Sequence, residues 1–474
     1  MPSTKSGLSF KHTTLLRYFK KSAWRDRLKS PPLVNRIDEG FYQNNSSKSL
    51  TPLLITLYSS SNLSSMDSLE RSSTPSNEVQ AIDFLTELPV EISQLVLAYC
   101  DPDTVVMASY VSRHWYMLCN DTPLWKTIYQ ERYGLPTNLS LTAFSMNTMA
   151  VRNYKRMYQS KTLLEHRWRH GKHQTHCIQG HGDSIYCVQF DKTKIVTGSR
   201  DRTIKFWDIS SGRCLRTLLG HHASVLCLKY NDDWLVSGSS DHSVLVWSMH
   251  TFQVVRRLTG HSSGVLDVSF DQDYIASCSK DATIRLWHAK TGQPLRTLRG
   301  HRGPVNAIQF KNHQLVSASG DATIRLYDMK TGRCLRDFVG HSRGLACIQF
   351  DGASIVSGSN DNDIKVWNAH TGLCTLTLTG HTGLVRAMDF DQHKIVSASY
   401  DESIRVWCRH TGACLLIYPK CHSSWIFDVM FDNTKIVSTS QDQKILIMDF
   451  GHGIDTQLLV DPPFPSRLLP PPSS

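Results

Sequence analysis

No run of apolar residues in this chain approaches the roughly 18 that a membrane helix needs. Outside residues 171–450 apolar stretches such as Leu53 to Tyr58 are far too short. No apolar core follows the first basic residues, so a secretory signal is not expected. The 13 cysteines include no Cys-x-x-Cys pair, which excludes the usual zinc spacings and gives no disulfide framework. Reduced thiols, in cytoplasm or nucleus, are the expectation. Cys214, Cys334, Cys374 and Cys414 recur at one position of a repeat, where a small apolar side chain is expected to pack inside a strand. Acid is scarce between Phe10 and Lys29, a basic and aromatic stretch read here as a solvated tail. No nucleophile–base arrangement or phosphate loop stands out. The chain is therefore expected to be no enzyme and to need neither cofactor nor metal.

The formal charge is +11 and unevenly spread. Residues 1–80 hold 11 Lys/Arg against 6 Asp/Glu, residues 81–125 hold 1 against 6, and the remainder holds 40 against 29. A basic domain favours anionic partners such as nucleic acid, a membrane surface, or an acidic or phosphorylated peptide, and charge alone does not choose among them.

Residues 171–450 repeat with a period of 40. Gly-His recurs at Gly180-His181, Gly220-His221, Gly260-His261, Gly300-His301, Gly340-His341 and Gly380-His381. Twenty residues after each histidine stands an aspartate (Asp201, Asp241, Asp281, Asp321, Asp361, Asp401), and six further an aromatic (Trp207, Trp247, Trp287, Tyr327, Trp367, Trp407). Between these markers the apolar residues alternate as in short strands, for example Ile204 with Phe206 and Ile364 with Val366. Gly212, Gly292, Gly332, Gly372 and Gly412 mark the turn after the third strand, where glycine allows a positive φ. A constant period of this size with these residues is the WD-repeat signature, and four strands in each of seven repeats predict a seven-bladed β-propeller. Active sites do not recur at every period, so the His, Asp and Trp are read as structural. In the family that this repeat resembles, they link through a Ser or Thr by hydrogen bonds inside each blade. Thr197 and Ser199, with their equivalents, both stand in place for that role. The seventh repeat, with Asp442, departs from the pattern: Cys421-His422 replaces Gly-His, one residue is added, and Met448 stands for the tryptophan. Its hydrogen-bond chain is expected to be incomplete. Both His176–Gln179 and Ile454–Val460 read as an outermost strand, and the N-terminal piece is favoured to close the ring.

Asp83 to Trp125 has helical apolar spacing instead. Pro89 suits a helix start, and Asp101-Pro102 suits a stop followed by a new start. The residues Leu88-Pro89, Ile92, Leu95, Leu97, Asp101-Pro102, Val111-Ser112-Arg113, Trp115 and Leu124-Trp125 resemble the F-box. Together with the repeats, this chain resembles the F-box/WD-repeat substrate receptors of Skp–cullin–F-box ubiquitin ligases. The organisation expected is a disordered, Ser-rich basic segment 1–80, an F-box 81–125, a helical linker 126–170, a propeller 171–460 and a Pro-rich tail 461–474. So short a helical segment cannot bury all its apolar side chains alone. The resemblance makes the partner a Skp-type adaptor, met by Leu88, Pro89, Ile92, Leu95, Val111, Trp115, Leu124 and Trp125, and through it a cullin–RING ligase.

The loop after Gly-His and the turn at Ser-x-Asp are expected on one propeller face. In related receptors, arginines at these positions hold a phosphate of a short degradation motif, a task suited to the forked guanidinium. Arg200, Arg386 and Lys280 match by position, and Arg302 and Arg343 are further candidates. Tyr186, Tyr400 and Trp425 are expected to clamp flanking apolar residues. These basic positions do not look concentrated on neighbouring blades. The competing reading is a basic scaffold or RNA-associated propeller that assembles no ligase; no nucleic-acid module is recognisable, and no membrane partner is expected.

Overall fold

The computed structural model describes residues 83–134 and 153–455. The expected disordered N-terminus and the Pro-rich tail lie outside these residues. Six helices come first: α1 (Phe84–Glu87), α2 (Val90–Ala98), α3 (Pro102–Ala108), α4 (Arg113–Cys119), α5 (Thr122–Tyr133) and α6 (Tyr154–His170). Each start is written in the sequence. Pro89 precedes α2 with extended backbone, and the Asp101 carboxylate accepts the Thr104 N–H ahead of α3. Ser112 accepts the Trp115 N–H ahead of α4. A polar cap of this kind contributes about 1 kcal/mol. The expected F-box boundary at Trp125 falls inside α5, which continues to Tyr133 because Trp125, Ile128 and Tyr129 all face the same helical core.

That core gathers Leu85, Leu97, Val105, Trp115, Leu118, Trp125 and Tyr129, and takes in Met157 and Tyr158 from α6. The far end of α6 belongs to the propeller. There Leu164 and Trp168 join Val429, Phe431 and Phe450. Trp168 stacks on Phe450 with centroids 3.9 Å apart, and its indole N–H donates to Asn433 O at 2.8 Å. Arg167 donates to Phe450 O and His452 O. One helix of 17 residues, about 25 Å long at 1.5 Å per residue, is thus shared by two hydrophobic cores.

From Gln174 onward the chain makes seven four-stranded antiparallel sheets. Blades 1 to 6 span 185–219, 225–258, 265–298, 305–339, 345–378 and 385–418. Blade 7 takes three strands from 426–449, and its outermost strand is the N-terminal Gln174–Gln179, paired from Gln174↔Asp449 to Gln179↔Lys444. The ring is closed by its N-terminal piece, as favoured, while Ile454 lies in a bend. Second strands such as Lys194–Ser199 are buried throughout their length except at the first residue, because a neighbouring blade covers each face. Outermost strands bury at most one apolar residue near their end, such as Leu218 or Leu258. This corrects the expectation for the cysteines: Cys214, Cys334, Cys374 and Cys414 open the outermost strands and are exposed thiols, since no further strand or blade lies outside them.

Within each blade the repeated polar residues form a chain. His181 Nδ1 lies 2.8 Å from Asp201 Oδ2, and its Nε2 lies 2.8 Å from Thr197 Oγ1, which also accepts the Trp207 indole N–H. The link to His and Trp is therefore Thr197 and its equivalents Ser237, Ser277, Ser357 and Ser397. Ser199 instead donates to Ser184 O and accepts the Asp201 N–H. In blade 7 Ser438 meets His422 but no indole, and Met448 is buried where the tryptophan would be.

These chains set the response to acid. Burial works to raise Asp281, but hydrogen bonds from Thr283, His261 and the Ser262 N–H outweigh it and hold the carboxyl at about 2. Asp321 and Asp442 are likewise held at about 2. Their contribution is present above the ordinary carboxylate range and lost as pH falls through about 2. Burial lowers His261, His301 and His341, so their contribution is present above the ordinary histidine range and lost in mild acid. Burial has the opposite effect on Asp389 and Asp428, pushed up to about 6; their contribution is present below the ordinary carboxylate range and lost as pH rises through about 6. The histidines and the raised aspartates oppose one another between pH 4 and 6. The urea midpoint is expected to stay nearly flat from pH 7 to 5 and to fall steeply below 4. A midpoint that rises below pH 4 would contradict this reading of the His–Asp pairs.

Candidate functional site

Two surfaces carry the features of protein recognition. The first lies on the helical unit, whose core leaves a row of large apolar side chains in solvent. Leu95 is 54% exposed, Tyr99 82%, Tyr110 78% and Met117 73%, beside Val90, Ile92, Met107, Val111 and Tyr116. Exposed apolar surface on this scale marks a protein-binding face. Of the residues expected there, Ile92, Leu95 and Val111 are exposed, Pro89 is exposed as the residue that caps α2, and Leu88 is half-buried. Trp115, Leu124 and Trp125 are not on the face. They are core residues, Trp125 only 1% exposed, with its indole N–H on Cys119 O at 2.7 Å and the Trp115 indole N–H on the Asp83 carboxylate at 2.8 Å. Tyr99, Met107, Tyr110, Tyr116 and Met117 were missed. Their signal was α4 itself, where five consecutive apolar residues, Trp115 to Cys119, exceed what one buried stripe accommodates.

The second surface is the propeller face formed by the Gly-His loops and Ser-x-Asp turns. Each turn is locked to its loop: the Gly182 N–H reaches Asp201 at 3.0 Å, and the Arg200 N–H donates to Ser184 O at 2.9 Å. Every innermost strand has a bulge that skips its second residue, as between Ile185 and Cys187 or Val385 and Ala387. A bulge re-aims the side chain it displaces. The skipped residues are Tyr186, Leu226, Leu266, Asn306, Ala346, Arg386 and Phe427, which the fold sets at the rim of the central channel.

Ring closure makes blades 6, 7 and 1 neighbours, and their aromatics meet. Tyr400 and Trp425 stack with centroids 4.7 Å apart and planes 6° from parallel. Phe427 lies 6.0 Å from Tyr400 and 4.9 Å from Tyr186. Trp425, at one end of this group, is 49% exposed. Arg386 belongs to blade 6 and Arg200 to blade 1, on either side of blade 7, so the basic positions are spread around the ring, as expected. Arg386 also donates to Ala346 O, and Arg200 lies 3.7 Å from Asp183. Lys280, Arg302 and Arg343 are exposed but stand on the part of the ring formed by blades 3 to 5. Phe427 was not counted among the clamping aromatics. Below the rim, half-buried Asp267, Asp389 and Asp428 each accept an N–H from the next blade, at Ile308, Phe431 and Val188, stitching three seams of the ring.

Comparison with known proteins agrees with both halves. An F-box-like family model matches residues 85–131. The WD domain, G-beta repeat model matches 172–208, 212–248, 252–288, 292–328, 332–368 and 372–408. The chain is an F-box/WD-repeat protein. The atypical seventh WD repeat falls outside the matched segments. Among curated proteins, the F-box/WD chain is similar to the probable E3 ubiquitin ligase complex SCF subunit sconB of Arthroderma otae, 31% identical over 29% of this chain and 24% of that protein. It is similar to F-box/WD repeat-containing protein 7 of Drosophila melanogaster, 33% identical over 29% of this chain and 11% of that one. An F-box protein of Saccharomyces cerevisiae is 30% identical over 29% of this chain and 25% of its own. The matched segments span about a quarter or less of these relatives. Among solved structures, the computationally designed Ika8 protein has a TM-score of 0.50 and 29% identity, covering 57% of this chain and 98% of that one.

Proposed function

We propose that this protein is a substrate receptor of a Skp–cullin–F-box ubiquitin ligase, in the cytoplasm or nucleus. The observation that carries the proposal is the exposed apolar face of a unit whose own core is already closed. In this reading Ile92, Leu95, Val111, Tyr110 and Met117 dock on a Skp-type adaptor, which holds the cullin and RING subunits. The propeller captures a protein target at the Tyr400–Trp425–Phe427–Tyr186 cluster. Arg200 on blade 1 and Arg386 on blade 6 suit an acidic or phosphorylated residue of such a target. The receptor itself performs no bond chemistry. Its contribution is proximity, which converts ubiquitin transfer into an effectively intramolecular step. Helix α6, shared by both cores, would fix the spacing that a flexible linker leaves open.

The test is ubiquitin transfer with the full chain, adaptor, cullin and RING subunit supplied together. Captured proteins are expected to gain ubiquitin with the parent and to remain unmodified, though still captured, with Ile92→Asp/Leu95→Asp. Equal transfer with the variant would remove the helical face from the function.

A further inference from the structure

The seam between blades 6 and 7 differs from the other six in what fills it. Elsewhere an aromatic ring lies by the glycine of the Gly-His dipeptide, joined in four blades by a long basic side chain. A Cβ placed on Gly180 would lie 2.9 Å from the Trp207 ring, and one on Gly220 would lie 2.7 Å from that of Trp247. In blades 3, 4 and 6 the guanidinium groups of Arg285, Arg325 and Arg405 lie against Gly260, Gly300 and Gly380. In blade 2 the arm comes from the outermost strand, where Arg257 donates to Gly220 O at 2.9 Å.

Blade 7 has lost every one of these groups. The glycine is Cys421, a residue incompatible with an indole at that distance, and Met448 takes the place of the ring. Leu446 stands where Arg405 stands in blade 6, each paired with the linking serine of its own blade. Its partner on the outermost strand is Cys177, in the place of Arg257. Neither side chain can span the seam, and a cavity of about 370 Å³ opens there. Its lining includes Leu446, Cys421 and Cys177, with Lys420, Lys444 and Glu402. Asp442 also borders it, but its carboxylate is taken up by His422 and the Ser423 N–H. Among the described residues neither Lys420 nor Lys444 forms an ion pair with an acid, so two unpaired ammonium groups stand at the cavity beside the carboxylates of Glu402 and Asp442.

We propose that this seam binds an apolar group bearing a carboxylate. The apolar part replaces the missing ring over Leu446, and the carboxylate meets Lys444 and Lys420, where a charge-assisted hydrogen bond is stronger than a neutral one. A free aromatic acid and the C-terminal residue of a polypeptide share this chemistry. The site is separate from the aromatic cluster and does not depend on the ligase reading.

The cavity contains its own reporter. Cys177 is an exposed thiol in its wall, whereas burial pushes Cys421 up to about 12 and keeps it unreactive. The experiment follows alkylation of the full chain by iodoacetamide, mapped by mass spectrometry, with the exposed thiols Cys214, Cys334, Cys374 and Cys414 as internal controls. The probes are 3-phenylpropanoate, its amide, and a pentapeptide ending in phenylalanine with a free or amidated terminus. The acid is expected to protect Cys177 alone, with the amide weaker by about tenfold, the loss of one charge-assisted hydrogen bond. Protection by the free-ended peptide as well assigns the site to a polypeptide terminus, and protection by the acid alone assigns it to a small molecule. Leu446→Arg, which restores the arm of the other blades, is expected to abolish protection. Lys420→Ala/Lys444→Ala, both at the surface, is expected to weaken it about tenfold even if Leu446→Arg does not fold. No protection of Cys177, equal protection by acid and amide, or protection unchanged in the lysine variant would overturn the proposal.

Discussion

Trp125→Ala is expected to unfold the helical unit and leave the propeller intact. The ring is almost wholly enclosed, packs against Tyr158 with centroids 5.6 Å apart and donates to the Cys119 carbonyl from its indole nitrogen. Removing such a side chain costs about 3–5 kcal/mol, a large share of what so small a unit commands. Hydrogen exchange reads the result directly: amides in α2 to α5 lose protection while those of Ile195, Ile275 and Ile355 in the second strands keep theirs. Val111→Ala, at an exposed site, is expected to change stability by no more than about 0.5 kcal/mol. If Trp125→Ala left protection unchanged, Trp125 would not hold the core and would return to the adaptor face that the family resemblance first implied.

The second large effect is expected on the propeller. Tyr400→Ala/Trp425→Ala removes a stacked, half-exposed aromatic pair that no blade needs for its own hydrogen bonds, since Tyr400 contributes only its backbone N–H to Leu384 O. Truncation of central aromatic anchors costs about 2–4 kcal/mol of binding, or roughly 30- to 1,000-fold. Quantitative mass spectrometry of co-purified proteins should show the captured set lost with this pair and kept with Lys280→Ala/Arg302→Ala. The reverse result would move target capture to the opposite side of the ring and leave the aromatic cluster without a role.

The fold was legible because its signal is periodic. A 40-residue period, the glycines of the outer turns and the His–Asp–Trp spacing each repeat often enough to outweigh local noise. Gly212, Gly292, Gly332, Gly372 and Gly412 do take positive φ, between 67° and 80°. What stayed hidden is what needs three-dimensional phase. Thr197 and Ser199 lie two residues apart on one strand and point to the same side, so only the strand's register decides which meets the histidine. Trp115, Leu124 and Trp125 match the F-box pattern as well as Ile92 and Leu95 do, but the helical phase turns the first three inward. The exposed thiols of the outer strands look apolar in sequence, where nothing shows that a strand has no neighbour. The aromatic cluster was the hardest to see. Tyr186 and Phe427 are remote in the chain and meet only because the strand Gln174–Gln179 closes the ring onto blade 7.

The central claim is that the open apolar face of the helical unit exists to hold an adaptor. Purified full chain is titrated with a Skp-type adaptor and the complex is then passed over immobilised cullin, comparing the parent with Ile92→Asp/Leu95→Asp at low and high salt. Burying two uncompensated carboxylates in an apolar interface costs several kcal/mol, so the parent should bind at both salt concentrations and bring down the cullin, and the variant should bind neither partner while its propeller remains folded. A parent that fails to bind the adaptor, or a variant that binds as tightly as the parent, would contradict the account.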